Sequence, residues 1–203
     1  TNNLTGVFTP VRLFCIIASK EIKMSKKTTQ MVSYTSILVA FAIMIPIIMP
    51  AKIIIGPASF TLASHVPLFL SIFISVPVAI LVALGTGLGF LLAGFPIVIV
   101  LRALSHIGFA LIAAFLIKSK PSLLMSKWQT LLFAVAINII HGLLEFITVY
   151  IITMTSNSSS TYLWSLFSLI GLGSLLHGLV DFYIALFIWK WMTQKLGKTL
   201  RIR

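Results

Sequence analysis

From residue 31 onward the chain alternates between long apolar runs and short clusters of proline, glycine, serine and lysine. A helix that crosses a bilayer needs ~20 apolar residues at 1.5 Å rise each. On that measure the runs predict six spanning segments, at residues 31–49, 58–75, 78–93, 97–117, 129–154 and 162–189. The breaks are chemically marked: Pro46, Pro50 and Pro57 around the first connection, Pro77 at the second, Gly94-Phe95-Pro96 at the third, Lys118 to Lys127 at the fourth, and Ser156 to Thr161 at the fifth. The fold class expected is all-α integral membrane, a single domain over residues 24–203 built as a bundle of six transmembrane helices. Residues 1–23 stand apart. They are mildly amphipathic, lack a long apolar run with a cleavage site, and precede Met24-Ser-Lys-Lys-Thr-Thr, which reads as a native start followed by a basic anchor. They are expected to be an N-terminal extension from a misassigned start or an expression remnant.

Composition sharpens this picture. The chain is 59% hydrophobic and 9% charged, with a mean hydropathy of +1.13, which excludes a soluble core. A net charge of +12 raises the question of nucleic acid, but the basic residues gather in the two tails and the fourth connection. The positive-inside rule then puts both termini in the cytoplasm and turns the connections at 50–57, 94–96 and 155–161 outward. Trp128, Trp164, Trp189 and Trp191 fall at segment ends, where an interfacial aromatic belt lies. Cys15 is the single cysteine, so neither a disulfide framework nor a cysteine metal cluster forms within one chain.

The informative chemistry lies inside the apolar segments. Arg102 and His106 are spaced i, i+4 on one face of the fourth segment, and an ionisable residue at that depth costs ~2.5–3.5 kcal/mol on insertion scales. Such a group is turned toward the bundle interior or a cavity. Glu145 is the depth-matched acid, so Arg102 has two readings, an ion pair with Glu145 or a planar fork for a substrate carboxylate or phosphate. Asn138, His141 and Glu145 form one stripe of the fifth segment. Thr86, His65 and His177 fall near mid-depth, and Asp181 toward the cytoplasmic half. His141-Gly-Leu-Leu-Glu145-Phe is echoed by His177-Gly-Leu-Val-Asp181-Phe, too short a match to infer a repeat. No metal is expected, because no tight His-Glu-x-x-His array occurs, and no nucleophile and base are singled out for catalysis. Gly85 and Gly89 form a small-xxx-small pair that lets helices approach closely. Ser36 and Ala40 form another, suited to docking on a second membrane subunit. The stretch from Pro50 to Phe60 is too apolar for a plain loop and reads as a lid or re-entrant segment, with Lys52 as its cation.

Pro57-Ala-Ser-Phe-Thr-Leu-Ala-Ser-His65, Gly85-Thr-Gly-Leu-Gly-Phe, and Phe95-Pro-Ile-Val-Ile-Val-Leu-Arg-Ala-Leu-Ser-His106 resemble the substrate-binding S-component of energy-coupling-factor (ECF) vitamin transporters, in the pantothenate or niacin branch. The resemblance covers nearly everything from Met24 onward. It implies a bacterial membrane protein, not an enzyme, that captures a vitamin from outside. It also implies that the protein binds no cofactor itself and works with a transmembrane coupling subunit and two ATP-binding subunits. No Walker loop appears, in keeping with energy supplied by a partner. The family docks through an Ala-x-x-x-Ala face, where this chain offers Ser36 and Ala40. The substrate-binding set expected is Arg102, His106, Asn138, His141, Glu145, His177, Thr86 and His65. Pantothenate, with two hydroxyls and an amide, engages more of that set than niacin and is the preferred ligand. The alternatives are niacin in the same role, or a stand-alone proton-coupled secondary transporter using Glu145, Asp181 and the histidines.

Overall fold

The computed structural model describes residues 25–154 and 159–196; the expected extension at 1–23 lies outside them. Its elements in chain order are α1 (Lys26–Ile48), strands β1 (Lys52–Ile55) and β2 (Ala58–Thr61), α2 (Val66–Ile74), α3 (Val76–Leu92), α4 (Ile97–Ser119), a 3₁₀ turn (Pro121–Leu124), α5 (Lys127–Thr153), α6 (Ser160–Leu166), a π-helical stretch (Phe167–Leu172) and α7 (Gly173–Leu196). Four helical spans are long and apolar enough to cross a membrane: Lys26–Ile48, Ile97–Ser119, Lys127–Thr153, and the continuous Ser160–Lys195. The shorter apolar helix Val76–Leu92 joins them. This is a multi-pass protein of the cell membrane, predominantly α-helical.

The second expected segment, 58–75, is corrected. Its first part is strand and turn, and α2 has only nine residues, about 14 Å of helix against a hydrocarbon core of ~30 Å. Ser75 ends it in an extended conformation and caps α3, its hydroxyl accepting from Val78 N at 3.4 Å. Pro67 and Pro77 sit just inside their helix starts, where a missing N–H costs nothing. The expected break at Pro77 is therefore observed. The lid is an antiparallel hairpin pairing Lys52 with Thr61 and Ile55 with Ala58. Gly56, at φ 55°, supplies the positive φ that its two-residue turn with Pro57 requires.

The three glycines of α3 set how tightly the bundle closes. A Cβ on Gly85 would lie 2.7 Å from Val39 Cγ2, one on Gly89 would strike Ile43, and one on Gly87 would strike Leu104. Thus α3 is squeezed between α1 and α4, and the expected close packing at Gly85 and Gly89 is against α1. In lipid the gain comes from van der Waals contact rather than removal of apolar surface from water. An aromatic cluster joins α2 to α7, where Phe69 and Phe182 meet edge to face at 5.3 Å and Phe73 and Phe182 at 5.8 Å. That aromatic core begins just beyond His65, which caps α2, and Asp181 on α7. The hairpin and the Gly94–Pro96 turn meet at one end of the bundle, while Lys118, Lys120 and Lys127 flank the connection at the other.

Candidate functional site

A cavity of about 500 Å³ lies beneath the hairpin, walled by α1, α3, α4 and one side chain of α5. Lys52, Ile54, Pro57 and Thr61 form its roof, Thr86 and Phe90 one wall, and Arg102, His106, Glu145 and His65 its polar side. Phe90 and Phe95 stack at 4.6 Å along the same wall. The volume falls within the range of small-molecule sites.

Arg102 is 5% exposed. Its Nη2 donates to Glu145 Oε2 at 2.9 Å, its Nη1 donates to the Pro57 carbonyl at 3.2 Å, and its guanidinium carbon lies 6.0 Å from the Phe60 ring centre. Its Nε is buried without a partner. The arginine therefore ties the lid turn to α5 and keeps one donor in reserve. Glu145, 2% exposed, gathers the other groups. Ser174 donates to its Oε2, while His106 Nε2 lies 2.9 Å and His141 Nε2 3.6 Å from its Oε1. A carboxylate with that many donors around it holds its charge in a medium where an unpaired charge is prohibitive.

A second carboxylate organises the approach to the site. Asp181 Oδ1 accepts from Ala63 N and Oδ2 from His65 N, both at 2.8 Å. Ala63 has φ 66°, a left-handed conformation uncommon for alanine, and this clamp fixes it. The turn so held places His65 Nδ1 at 3.0 Å from His177 Nε2, with Ser64 Oγ 3.1 Å from the same nitrogen.

Six of the expected residues thus converge: Arg102, His106 and Glu145 directly, with His65, His141 and His177 joined to them ring by ring. His65 lies 4.8 Å from His106, 4.7 Å from His141 and 4.9 Å from His177 between ring centres. Those on α4, α5 and α7 hold their depth because their helices pack as neighbours; His65 reaches them only through the Asp181 clamp. Thr86 faces the cavity, yet its hydroxyl donates to Val82 O at 2.7 Å. Asn138 is fully buried beside Gly178 and donates to Ala134 O at 2.9 Å. Ser36 and Ala40 lie far from the cavity, exposed on the outer face of α1. Sequence reasoning missed the clamping role of Asp181, although an intramembrane acid is itself a signal. Ser174 and the Pro57 carbonyl carried no signal. Among the described residues two donor sets could hold a metal ion, His65, His106, His141 and Glu145, and His65, His177 and Asp181, the ligand atoms of each lying within 4.8 Å of one another.

Over 153 residues the chain is 39% identical to the niacin transporter NiaX of Lactococcus lactis subsp. cremoris (strain MG1363), a match covering 74% of this chain and 69% of that protein. No family model matches the chain, and no solved structure matches it.

Proposed function

The chain belongs to the family of the niacin transporter NiaX, and from that premise we propose that it is the substrate-capture S-component of an ECF importer, binding niacin from outside and delivering it inward. It is a transport protein, not an enzyme. The observation that carries the reading is Arg102: a buried guanidinium on the wall of the cavity, in a chain related to a carrier of an aromatic acid. The carboxylate of niacin pairs with the Arg102 guanidinium, and the flat ring lies along Phe90 and Phe95 under the hairpin. The preference for pantothenate gives way to niacin. The relative transports niacin, and of the side chains counted on for pantothenate's hydroxyls and amide, Thr86 donates its hydroxyl to a carbonyl of its own helix and Asn138 does not line the cavity.

Glu145 then acts as the group that orients the fork, with His106 and Ser174 fixing the carboxylate in turn. The outer face of α1, carrying Ser36 and Ala40 among Ile37, Phe41 and Met44, docks on the transmembrane coupling subunit, and the two ATP-binding subunits supply the energy. The test is calorimetric titration of the purified chain, without partners, with nicotinate. Wild type is expected to bind at sub-micromolar Kd, and Arg102→Lys, which keeps the charge and loses the fork, to bind about 10- to 100-fold more weakly while remaining folded. Absence of nicotinate binding by folded wild type would overturn the proposal.

A further inference from the structure

We propose that His65, His106 and His141 form a binding site for a divalent transition-metal ion such as zinc, with Glu145 Oε1 as the fourth donor. The three rings stand at the corners of a near-equilateral triangle, with centres 4.8, 4.7 and 5.0 Å apart. A tetrahedral ion bound by three imidazoles at ~2.0–2.1 Å would set ring centres about 5 Å apart. The ligand atoms of the four residues already lie within 4.8 Å of one another. They come from the turn before α2, from α4 and from α5, so the fold, and no sequence motif, assembles them.

The second observation is His141. It is 0% exposed, and neither of its ring nitrogens has a hydrogen-bond partner. Leaving one such buried polar group unsatisfied costs ~1–3 kcal/mol, and a metal ion among the three rings removes that cost. The surrounding groups leave the required atoms free. His65 turns Nδ1 to His177 at 3.0 Å and to Asp181 Oδ2 at 3.4 Å, so that Nε2 has no hydrogen bond among the described residues. Glu145 gives Oε2 to Arg102 and Ser174 and presents Oε1 to His106 and His141. A carboxylate on the far nitrogen of a ligating histidine is the usual outer support of a metal site. Imidazole and carboxylate without thiolate favour zinc, nickel or cobalt over softer ions. Charge agrees: with neutral histidines the cluster sets one guanidinium against two carboxylates, Glu145 and Asp181, and is net negative. A bound dication adds positive charge, the sign an acid ligand needs, to a cavity wall whose charged side chains are Lys52, Arg102 and Glu145. That last consequence rests on the proposed capture of niacin, whereas the site itself does not.

The experiment is a titration of tag-free, chelator-stripped protein with Zn²⁺ and then Co²⁺, in the absence of vitamin. The expected result is one ion per chain, the visible absorption of tetrahedral Co²⁺, and a loss of affinity of at least about tenfold in His141→Gln and in His65→Ala. Zinc X-ray absorption on the loaded wild type needs no variant and is expected to count three imidazole nitrogens. No stoichiometric ion in the wild type, or fewer than three imidazoles around it, would overturn the site. Because these readouts contain no vitamin, their failure is distinguishable from failure of nicotinate binding.

Discussion

Glu145 is the residue on which the site turns, because it neutralises Arg102, accepts from Ser174 and faces two histidines. Glu145→Gln keeps the shape and removes the charge. Breaking a buried pair in this way strands the guanidinium and costs ~3–5 kcal/mol, so the variant is expected to melt well below wild type. On the proposed function, niacin brings a carboxylate to the same arginine and is expected to replace part of what was lost. Nicotinate should therefore raise the melting temperature of Glu145→Gln more than that of wild type, in a thermal unfolding assay run with and without ligand. An equal or smaller rise would mean that the vitamin does not reach Arg102. At this scale the sequence was legible where burial cost speaks: Arg102, His106 and Glu145, singled out as ionisable groups inside apolar segments, meet in the structure. Of the two readings of Arg102, the ion pair with Glu145 is observed, and the fork for a substrate acid stands as part of the proposed function. The meeting of His65 with His141 and His177 was not legible, because it depends on which helices adjoin and on a turn that no periodicity encodes.

Among the elements, the hairpin and the turn after it decide access to the cavity. The stretch 50–60 was recognisable as a lid, but not as two strands. β1 is four residues long with all of them exposed, so it lacks the alternation that marks a half-buried strand, and its Gly56-Pro57 turn is not one of the strong hairpin signals. The same ambiguity ran residues 58–65 into the second helix, since a short apolar run does not separate strand from helix by periodicity. What holds the lid is polar. Arg102 binds the carbonyl of Pro57 at its tip, and Asp181 binds two backbone N–H groups at its base. Asp181→Asn replaces one accepting oxygen with an NH₂ that faces an N–H donor, so one clamp bond is lost and the other weakened. The expected outcome is faster amide hydrogen exchange across residues 52–65 and a faster nicotinate off-rate by about tenfold, with a smaller change in on-rate. Unchanged exchange at those amides would show that the clamp does not hold the lid.

For the whole molecule the question is which surface meets lipid and which meets a partner, since apolar exposure alone separates neither. Leu92, Phe187 and Trp164 are 89%, 72% and 70% exposed, as expected of side chains that face acyl chains. α1 differs from the other spans in how little of it is covered: 6% of its apolar window is buried, against 44% for each of the other three. It touches the rest of the bundle mainly through the glycine face of α3, leaving Ser36 and Ala40 outward on a flat strip between larger apolar residues. A strip of small residues costs nothing to cover with another helix and gains close backbone approach when it is covered. On the proposed function the chain has to meet the subunit that supplies its energy, and the exposed strip is the side left for it, since the other side of α1 packs on α3 and lines the cavity through Ala42 and Pro46. Ala40→Trp adds bulk to an exposed position and fills no internal space, so folding and nicotinate binding by the isolated chain are expected to match wild type. Copurification with the coupling subunits and ATP-dependent uptake in vesicles are expected to fall at least tenfold. A stand-alone carrier would behave in the opposite way: uptake would follow an ion gradient, need no ATP-binding partner, and survive Ala40→Trp. The pairing of intact binding with lost uptake is what separates the two, because a misfolded variant loses both and a lipid-facing position loses neither.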